Sequence, residues 1–278
     1  MKRLSLLSIL VVCALPWPGV AQTLPGGLAP SPDEAASVVA ISDGDTLTLG
    51  SGQIVRLVGL QAPKLPLGRP GFEKWPLADE AKAYLETLVR DAVLLPAYGG
   101  AHRDRHGRAL AHLFRMEDGL WVQRAMLEAG FARVYSFADN RAAIAPLLEA
   151  ERTARAARKG IWAHPYYAIR TARGLARHMG RSGQFHLVEG RVTGVAHFRD
   201  QSFVNFGADY KTDFTVVVEA RDRGRFGTGD DLAADAGRIG EAWLSGLDGK
   251  TVRVRGWVFF RNGPAIKLTH PEQIELLE

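Results

Sequence analysis

The chain has 278 residues, 46% of them hydrophobic, and carries a formal net charge of +5 from 35 Lys and Arg against 30 Asp and Glu. That length favours one large domain or two small ones, and so modest a charge does not by itself show nucleic-acid binding; where the arginines cluster matters more. A single cysteine, Cys13, excludes a disulfide framework and a thiolate metal cage.

The N-terminus runs Met1-Lys2-Arg3, then apolar over 4–15, then Pro16, Pro18 and Gly19, with small residues at Gly19 and Ala21. A basic start, a short apolar run and a small-x-small exit describe a secretory signal over residues 1–21. The run is too short to span a bilayer. The reading places the remaining chain in the periplasm or outside the cell, with no membrane span and no cysteine. Lipid attachment at Cys13 would want a small residue before it, where Val11 and Val12 stand.

Residues 22–36, rich in Pro, Gly and Ala, read as a flexible lead-in. Strands are expected at 38–41, 46–49 and 53–60, the first two joined at Ser42-Asp43-Gly44-Asp45, an Asp-Gly hairpin signal. Residues 77–89 place Ala78, Ala81, Leu85, Leu88 and Val89 on one helical face. Strands at 92–96 and 109–116 follow, then helices at 122–129 and 142–159, stopped by Gly130 and Gly160. Over 163–183, Arg170, Arg173, Arg177 and Arg181 step by three, four and four, which would align them on one helix. This stretch reads as a basic linker, either simply solvated or a strip that meets phosphates. From 185 onward the pattern is strand-rich, with Thr251-Val252-Arg253-Val254-Arg255 alternating strictly and one helix expected at 233–244. The domains are therefore set at 37–163 and 184–278, with 164–183 between them.

Six strings in order along the first domain are Asp43-Gly44-Asp45-Thr46, Arg56-Leu57-Val58-Gly59, Gly71-Phe72-Glu73-Lys74-Trp75, Asp104-Arg105-His106-Gly107-Arg108, Gly130-Phe131-Ala132-Arg133-Val134 and Gly160-Ile161-Trp162. Together they resemble the staphylococcal nuclease (thermonuclease) family. The resemblance covers just under half the chain. It implies a mainly β fold with α: an OB-fold barrel carrying three helices. The second domain, with strands at 185–196, 202–206, 213–220, 250–260 and 264–268, suits a further small OB-like β-barrel and resembles C-terminal domains appended to some exported thermonuclease-like proteins.

The family cleaves DNA or RNA phosphodiesters with calcium. Two carboxylates and a carbonyl hold a hard cation, a glutamate activates water, and two arginines neutralise charge on the phosphate. The resemblance places Asp45 at the first calcium ligand and Arg56 and Arg108 at the catalytic phosphate clamp. It makes Arg105 and His106 phosphate contacts, and puts Tyr135 and Phe137 where a base stacks. The departures are Gln61, in place of the second metal carboxylate, and Lys64, in place of the general base. Gln61 still offers an oxygen but lacks the charge on which calcium affinity depends. An unperturbed lysine is protonated near pH 7 and cannot accept a proton; it can supply positive charge where calcium would sit, or meet phosphate itself.

The leading expectation is an exported nuclease-like protein with a nucleic-acid-binding cleft and weak or absent calcium-dependent hydrolysis. Two alternatives stay open. One is a working phosphodiesterase with a rearranged site built on Asp45, Gln61 and Glu73. The other is a non-enzymatic periplasmic binding or scaffold protein, since OB barrels also hold oligosaccharides and peptides. In the second domain, Arg253, Arg255, Trp257 and Phe259 share one strand face, either a cation-plus-aromatic surface for single strands or a face packed on the first domain. His102, Asp104 and His106 alternate, but no further ligand for a transition metal is evident.

Overall fold

The computed structural model describes residues 24–177, 183–227 and 235–277; the signal reading over 1–21 and Arg181 lie outside them. In the first unit, β1 (Ala29–Pro30), β2 (Ala36–Asp43), β3 (Thr46–Leu49), β4 (Ile54–Leu57), β5 (Gly59–Gln61), α1 (Ala78–Val89), β6 (Val93–Tyr98), β7 (Ala109–Arg115), α2 (Val122–Glu128), β8 (Arg133–Tyr135) and α3 (Ile144–Ala156) follow in order. The sheet runs β1-β6-β2-β3-β4-β7, and β7 returns to pair with β6. That pairing closes five strands into a barrel, the arrangement expected of an OB-type fold. α1 buries the predicted stripe Ala78, Ala81, Leu85, Leu88 and Val89, and its core is continuous with Leu47, Leu57, Leu94 and Leu113 of the barrel.

Two sequence expectations change here. The lead-in is structured: β1 pairs with β6, Leu28 is buried, and Leu24 packs on the core, because burying two leucines offsets the entropy of ordering the segment. The expected strand 53–60 breaks in two at Val58, just before Gly59, whose φ is +85° and whose added Cβ would lie 2.7 Å from Leu147 Cδ1. Only glycine meets both demands. The break frees β5 to pair with β8, at Leu60 opposite Val134 and Gln61 opposite Arg133.

The second unit comprises β9 (Arg170–Thr171), α4 (Ala172–Arg177), β10 (Phe185–Arg191), β11 (Gly194–His197), β12 (Gln201–Asn205), β13 (Thr215–Glu219), α5 (Ala236–Ser245), β14 (Thr251–Arg261), β15 (Gly263–Leu268) and β16 (Ile274–Leu277). Its sheet runs β11-β12-β13-β15-β14-β10-β9, with β16 on β14, around a separate core that includes Val188, Val204, Phe214, Phe226 and Leu244. The stretch read as a linker belongs to this unit. β9 pairs in parallel with β10 and Ala172 joins the core, so Arg170 sits on a strand and Arg173 and Arg177 on α4 rather than in one arginine stripe.

The two units meet through buried charge. Even-numbered β14 residues Val252, Val254 and Val258 face the second core; the odd-numbered Arg255, 1% exposed, faces the first unit. Its Nη1 donates to Glu151 of α3 at 3.0 Å and Nη2 to Glu275 of β16. Glu151 also accepts Arg155 Nη1 at 2.8 Å and the Val134 amide at 2.5 Å, while Arg253 bridges Glu189 and Glu275 at 2.6 and 3.2 Å. Burial works against the Arg255 charge, but the two carboxylates more than offset it and raise its pKa. Arg141 grips Glu272 through Nε and Nη2 at 2.9–3.0 Å, and Ser136 Oγ lies 2.7 Å from His270 Nε2.

Removing Arg255 takes a buried cation from both Glu151 and Glu275 and leaves their buried charge held by Arg155 and Arg253 alone. Arg255→Ala is expected to cost about 3–5 kcal/mol and to split one calorimetric transition into two; two transitions already present in the wild-type protein would show that the units unfold independently. Burial also lowers the pKa of His112 to about 3 and of His186 and His270 to about 4. Unfolded histidines protonate near 6.5, so over pH 4 to 6.5 the unfolded chain binds more protons and stability falls as pH falls. Tm is therefore expected to drop between pH 7 and pH 4.5, with a shallower profile in His270→Gln; a flat wild-type profile would contradict the neutral burial of these rings.

Candidate functional site

The site is assembled where the β2–β3 hairpin tip meets the end of β5. Asp43 pairs with Thr46 across the Gly44-Asp45 turn, and the tip packs so closely that a Cβ on Gly44 would lie 2.7 Å from Ala62 Cβ. The turn thus delivers Asp45 inward with no exposed surface. A carboxylate taken wholly out of water needs charge and hydrogen bonds from the protein, and Asp45 receives both. Its Oδ2 accepts the Ala62 amide at 3.0 Å and lies 3.1 Å from Arg56 Nη1, while Oδ1 accepts Thr46 Oγ1 at 3.2 Å. Lys64 Nζ sits 2.5 Å from Oδ1 and 2.6 Å from Oδ2, and 3.1 Å from Asp43 Oδ2.

Burial opposes ionisation of Asp45, but Arg56 and Lys64 outweigh it and hold the carboxyl well below its ordinary range. Asp43 shifts the other way: burial first, then the charge of Asp45, push it up against the pull of Lys64 and Arg56. The pair thus shares its cations unequally, Asp45 taking the larger part.

Arg56 is committed to this knot. Besides Asp45, its Nη1 donates to the Leu57 carbonyl at 2.9 Å and its Nη2 to that of Leu60 at 2.9 Å. Arg108 lies at the foot of β7, whose parallel register with β4 sets Arg56 beside Leu110, two residues on. Its guanidinium is clasped by Asp104 Oδ2, at 2.7 Å from both Nε and Nη2. Asp104 Oδ1 meanwhile fastens the loop by accepting the His106 and Arg108 amides at 2.8 and 3.0 Å. Arg105 and His106 are exposed, Arg105 Nε lying 3.1 Å from His106 Nε2. The structure therefore brings Arg56, Asp45 and Lys64 together, and holds Arg108 on the adjoining loop through a different carboxylate, with Arg105 exposed beside it.

Gln61 does not join the Asp45 group, which corrects its reading as a metal ligand. Its side-chain oxygen accepts Arg133 Nε and Nη2 at 3.1 and 2.9 Å. Arg133 is buried beneath Phe185, 4.4 Å from the ring centroid, and burial lowers its pKa to about 10; a neutral acceptor at 61 satisfies it. The donor set does not fit calcium: the two carboxylates that converge share an ammonium, and the next oxygen faces an arginine. Glu73 is exposed in the loop before α1. His102 stacks on Tyr98 at 4.3 Å, away from any shared ligand role with Asp104. Among the described residues, no three His, Cys, Asp or Glu side chains group as a metal site.

Tyr135 and Phe137 pack edge to face at 4.7 Å. Tyr135 also meets Phe185 at 5.3 Å, and its hydroxyl accepts Trp257 Nε1 at 3.1 Å. Phe137 stays 39% exposed. Asp43 and Arg133 are the residues that sequence reading passed over. The signal for Arg133 was present: a lone arginine between Ala132 and Val134 in a short strand demands a buried partner.

Residues 54–164 match the family model described as staphylococcal nuclease homologue. This segment is a staphylococcal nuclease-homologue domain. A Bacillus anthracis protein described as uncharacterized is 32% identical over 130 residues, 45% of this chain and 59% of that relative, so the chain spans little more than half of the relative's length. In this segment Lys64 stands between Asp43 and Asp45, where the resemblance would put a metal.

If the ammonium fills that place, calcium has nothing to bind. Millimolar calcium is expected to leave the Tm of the wild-type protein unchanged. Lys64→Ala is expected to lower Tm and make it rise with calcium, by about 2.7 kcal/mol of stability at 100 times Kd. A calcium-dependent Tm in the wild-type protein would overturn the assignment.

Proposed function

We propose that this is an exported nuclease-like protein that binds nucleic acid and has lost calcium-dependent phosphodiester hydrolysis. One observation carries the reading: Lys64 Nζ contacts both oxygens of Asp45 within 2.6 Å. Hydrolysis by this family of sites needs a cation shared between protein and phosphate, and a base for water. Lys64 is held by carboxylates on the cation side and has no lone pair to offer as an ammonium. Absence of a general base typically costs about 10²–10⁴ in rate. Phosphate attraction persists in the reading because Arg105 and Arg108 occupy the adjoining loop and the chain is net positive. Binding of this kind weakens steeply with salt.

A rearranged but working site is less well supported, since Gln61 is held by Arg133 and Glu73 lies in an exposed loop. Export rests on the three-part pattern of residues 1–21, and the protein purified from its own cells should begin at Gln22.

Purified protein incubated with single-stranded DNA or RNA is expected to bind with salt-dependent affinity and to show no cleavage stimulated by calcium, magnesium or manganese over chelator. Metal-stimulated cleavage abolished by Asp45→Ala would defeat the loss of hydrolysis; absence of salt-dependent binding would defeat the nucleic-acid reading.

A further inference from the structure

β14 carries two functions on one face. Its odd-numbered side chains begin as glue: Arg253 and Arg255 are spent on Glu189, Glu275 and Glu151. Beyond them the same face opens. Trp257, Phe259 and Arg261 line a cleft of about 540 Å³, closed on its other side by residues 135–138 of the nuclease-homologue domain. Trp257 and Phe137, on opposite walls, are each 39% exposed. They are tied into one aromatic cluster through Tyr135, at 6.5 Å from Trp257 and 4.7 Å from Phe137.

The cluster is rigid where it matters. Trp257 Nε1 donates to the Tyr135 hydroxyl, and Phe185 packs edge-on to both rings at 5.3 and 6.0 Å. Two half-exposed rings joined through the partly buried Tyr135 form a platform that can meet a ligand without first ordering a loop. The polar partners are cationic. Arg261 stands over Phe203 at 5.6 Å and donates to Gln201 at 2.6 Å. Lys267 lies at 2.5 Å from Glu219, which also pairs with Arg221 at 2.8 Å. Lys267 and Arg221 therefore share one carboxylate along this edge, and Arg261 adds a further positive charge beside them. An oligosaccharide site would be expected to use acceptors at least as much as donors. Exposed aromatics with surplus positive charge are what a single strand needs: faces for bases and counter-charge for phosphates.

We infer that the cleft between residues 135–138 and the outer face of β14 binds unpaired nucleotides, with Trp257 and Phe137 stacking bases and Arg261 and Lys267 meeting the backbone. The inference rests on the nucleic-acid reading above and extends it to a surface that the nuclease-homologue domain cannot build alone.

The test is fluorescence anisotropy of the full chain with a labelled thymidine 12-mer, alongside Trp257→Ala, Phe137→Ala, Arg261→Glu and, as a control on the opposite face of β14, Phe260→Ala. Stacking on a ring typically contributes about 1–3 kcal/mol per base, or roughly 5- to 150-fold in Kd. Trp257→Ala and Phe137→Ala are expected to weaken binding in that range, Arg261→Glu to weaken it and flatten the salt slope, and Phe260→Ala to leave it unchanged. Circular dichroism confirms that each variant folds, and Phe137→Ala and Arg261→Glu, at exposed sites, keep the test open should Trp257→Ala not fold. Wild-type binding that all three cleft variants leave intact overturns the cleft while sparing the nucleic-acid reading. No binding by the wild-type protein overturns both, and preference for a neutral oligosaccharide over the 12-mer overturns the assigned ligand.

Discussion

A carboxylate with no exposed surface can stay ionised only if the chain brings charge to it, and Asp45 sets that demand for the whole first unit. The hairpin tip is packed too tightly against Ala62 and α1 to let it out. Fixed groups supply what water would otherwise give: the Arg56 guanidinium, the Ala62 amide, the Thr46 hydroxyl and the Lys64 ammonium. In a low-dielectric pocket such a set is worth keeping only if complete, because each missing member leaves a buried charge unpaired. A covalently tethered cation also differs from a bound one in kind. It cannot be shared with an incoming phosphate without breaking its own contacts to Asp43 and Asp45.

The same constraint recurs between the two units. Glu151 is buried on the apolar face of α3, and Arg255 on a strand that is otherwise valine-rich. Each has one charged partner within its own unit, Arg155 for Glu151 and Glu275 for Arg255, and the contact between the units supplies the second. Joined, each satisfies the other, with Glu275 and Arg155 completing the set. Such pairs add little net stability compared with a well-packed apolar contact, but they punish misalignment. They fix how β14 lies against β8, and hence where Trp257 stands relative to Tyr135.

Much of the first unit could be read from the residues. The helical stripe of α1, the Asp-Gly hairpin and the glycine stops after α2 and α3 are local patterns with local causes, and they fall where periodicity and turn chemistry put them. The lead-in and the arginine-bearing stretch were misjudged for a common reason: Leu24, Leu28 and Ala172 acquire their role only from cores formed by distant segments. The candidate site divides the same way. Lys64 was legible as a positive charge near the cation position, but the engagement of Asp43 and the capture of Gln61 by Arg133 follow from the β5–β8 pairing.

What the sequence determined by itself was therefore the chemistry available: a carboxylate at Asp45, an amide at Gln61 and an amine at Lys64, along strands and helices whose order its periodicities specify. What only the tertiary structure decided was which charges meet. Arg56 could have faced phosphate and faces Asp45; Arg255 could have faced solvent and faces Glu151. The physical reason is that side-chain alternation tells which face of a strand a group leaves, whereas the element that covers that face is chosen by packing between segments a hundred residues apart.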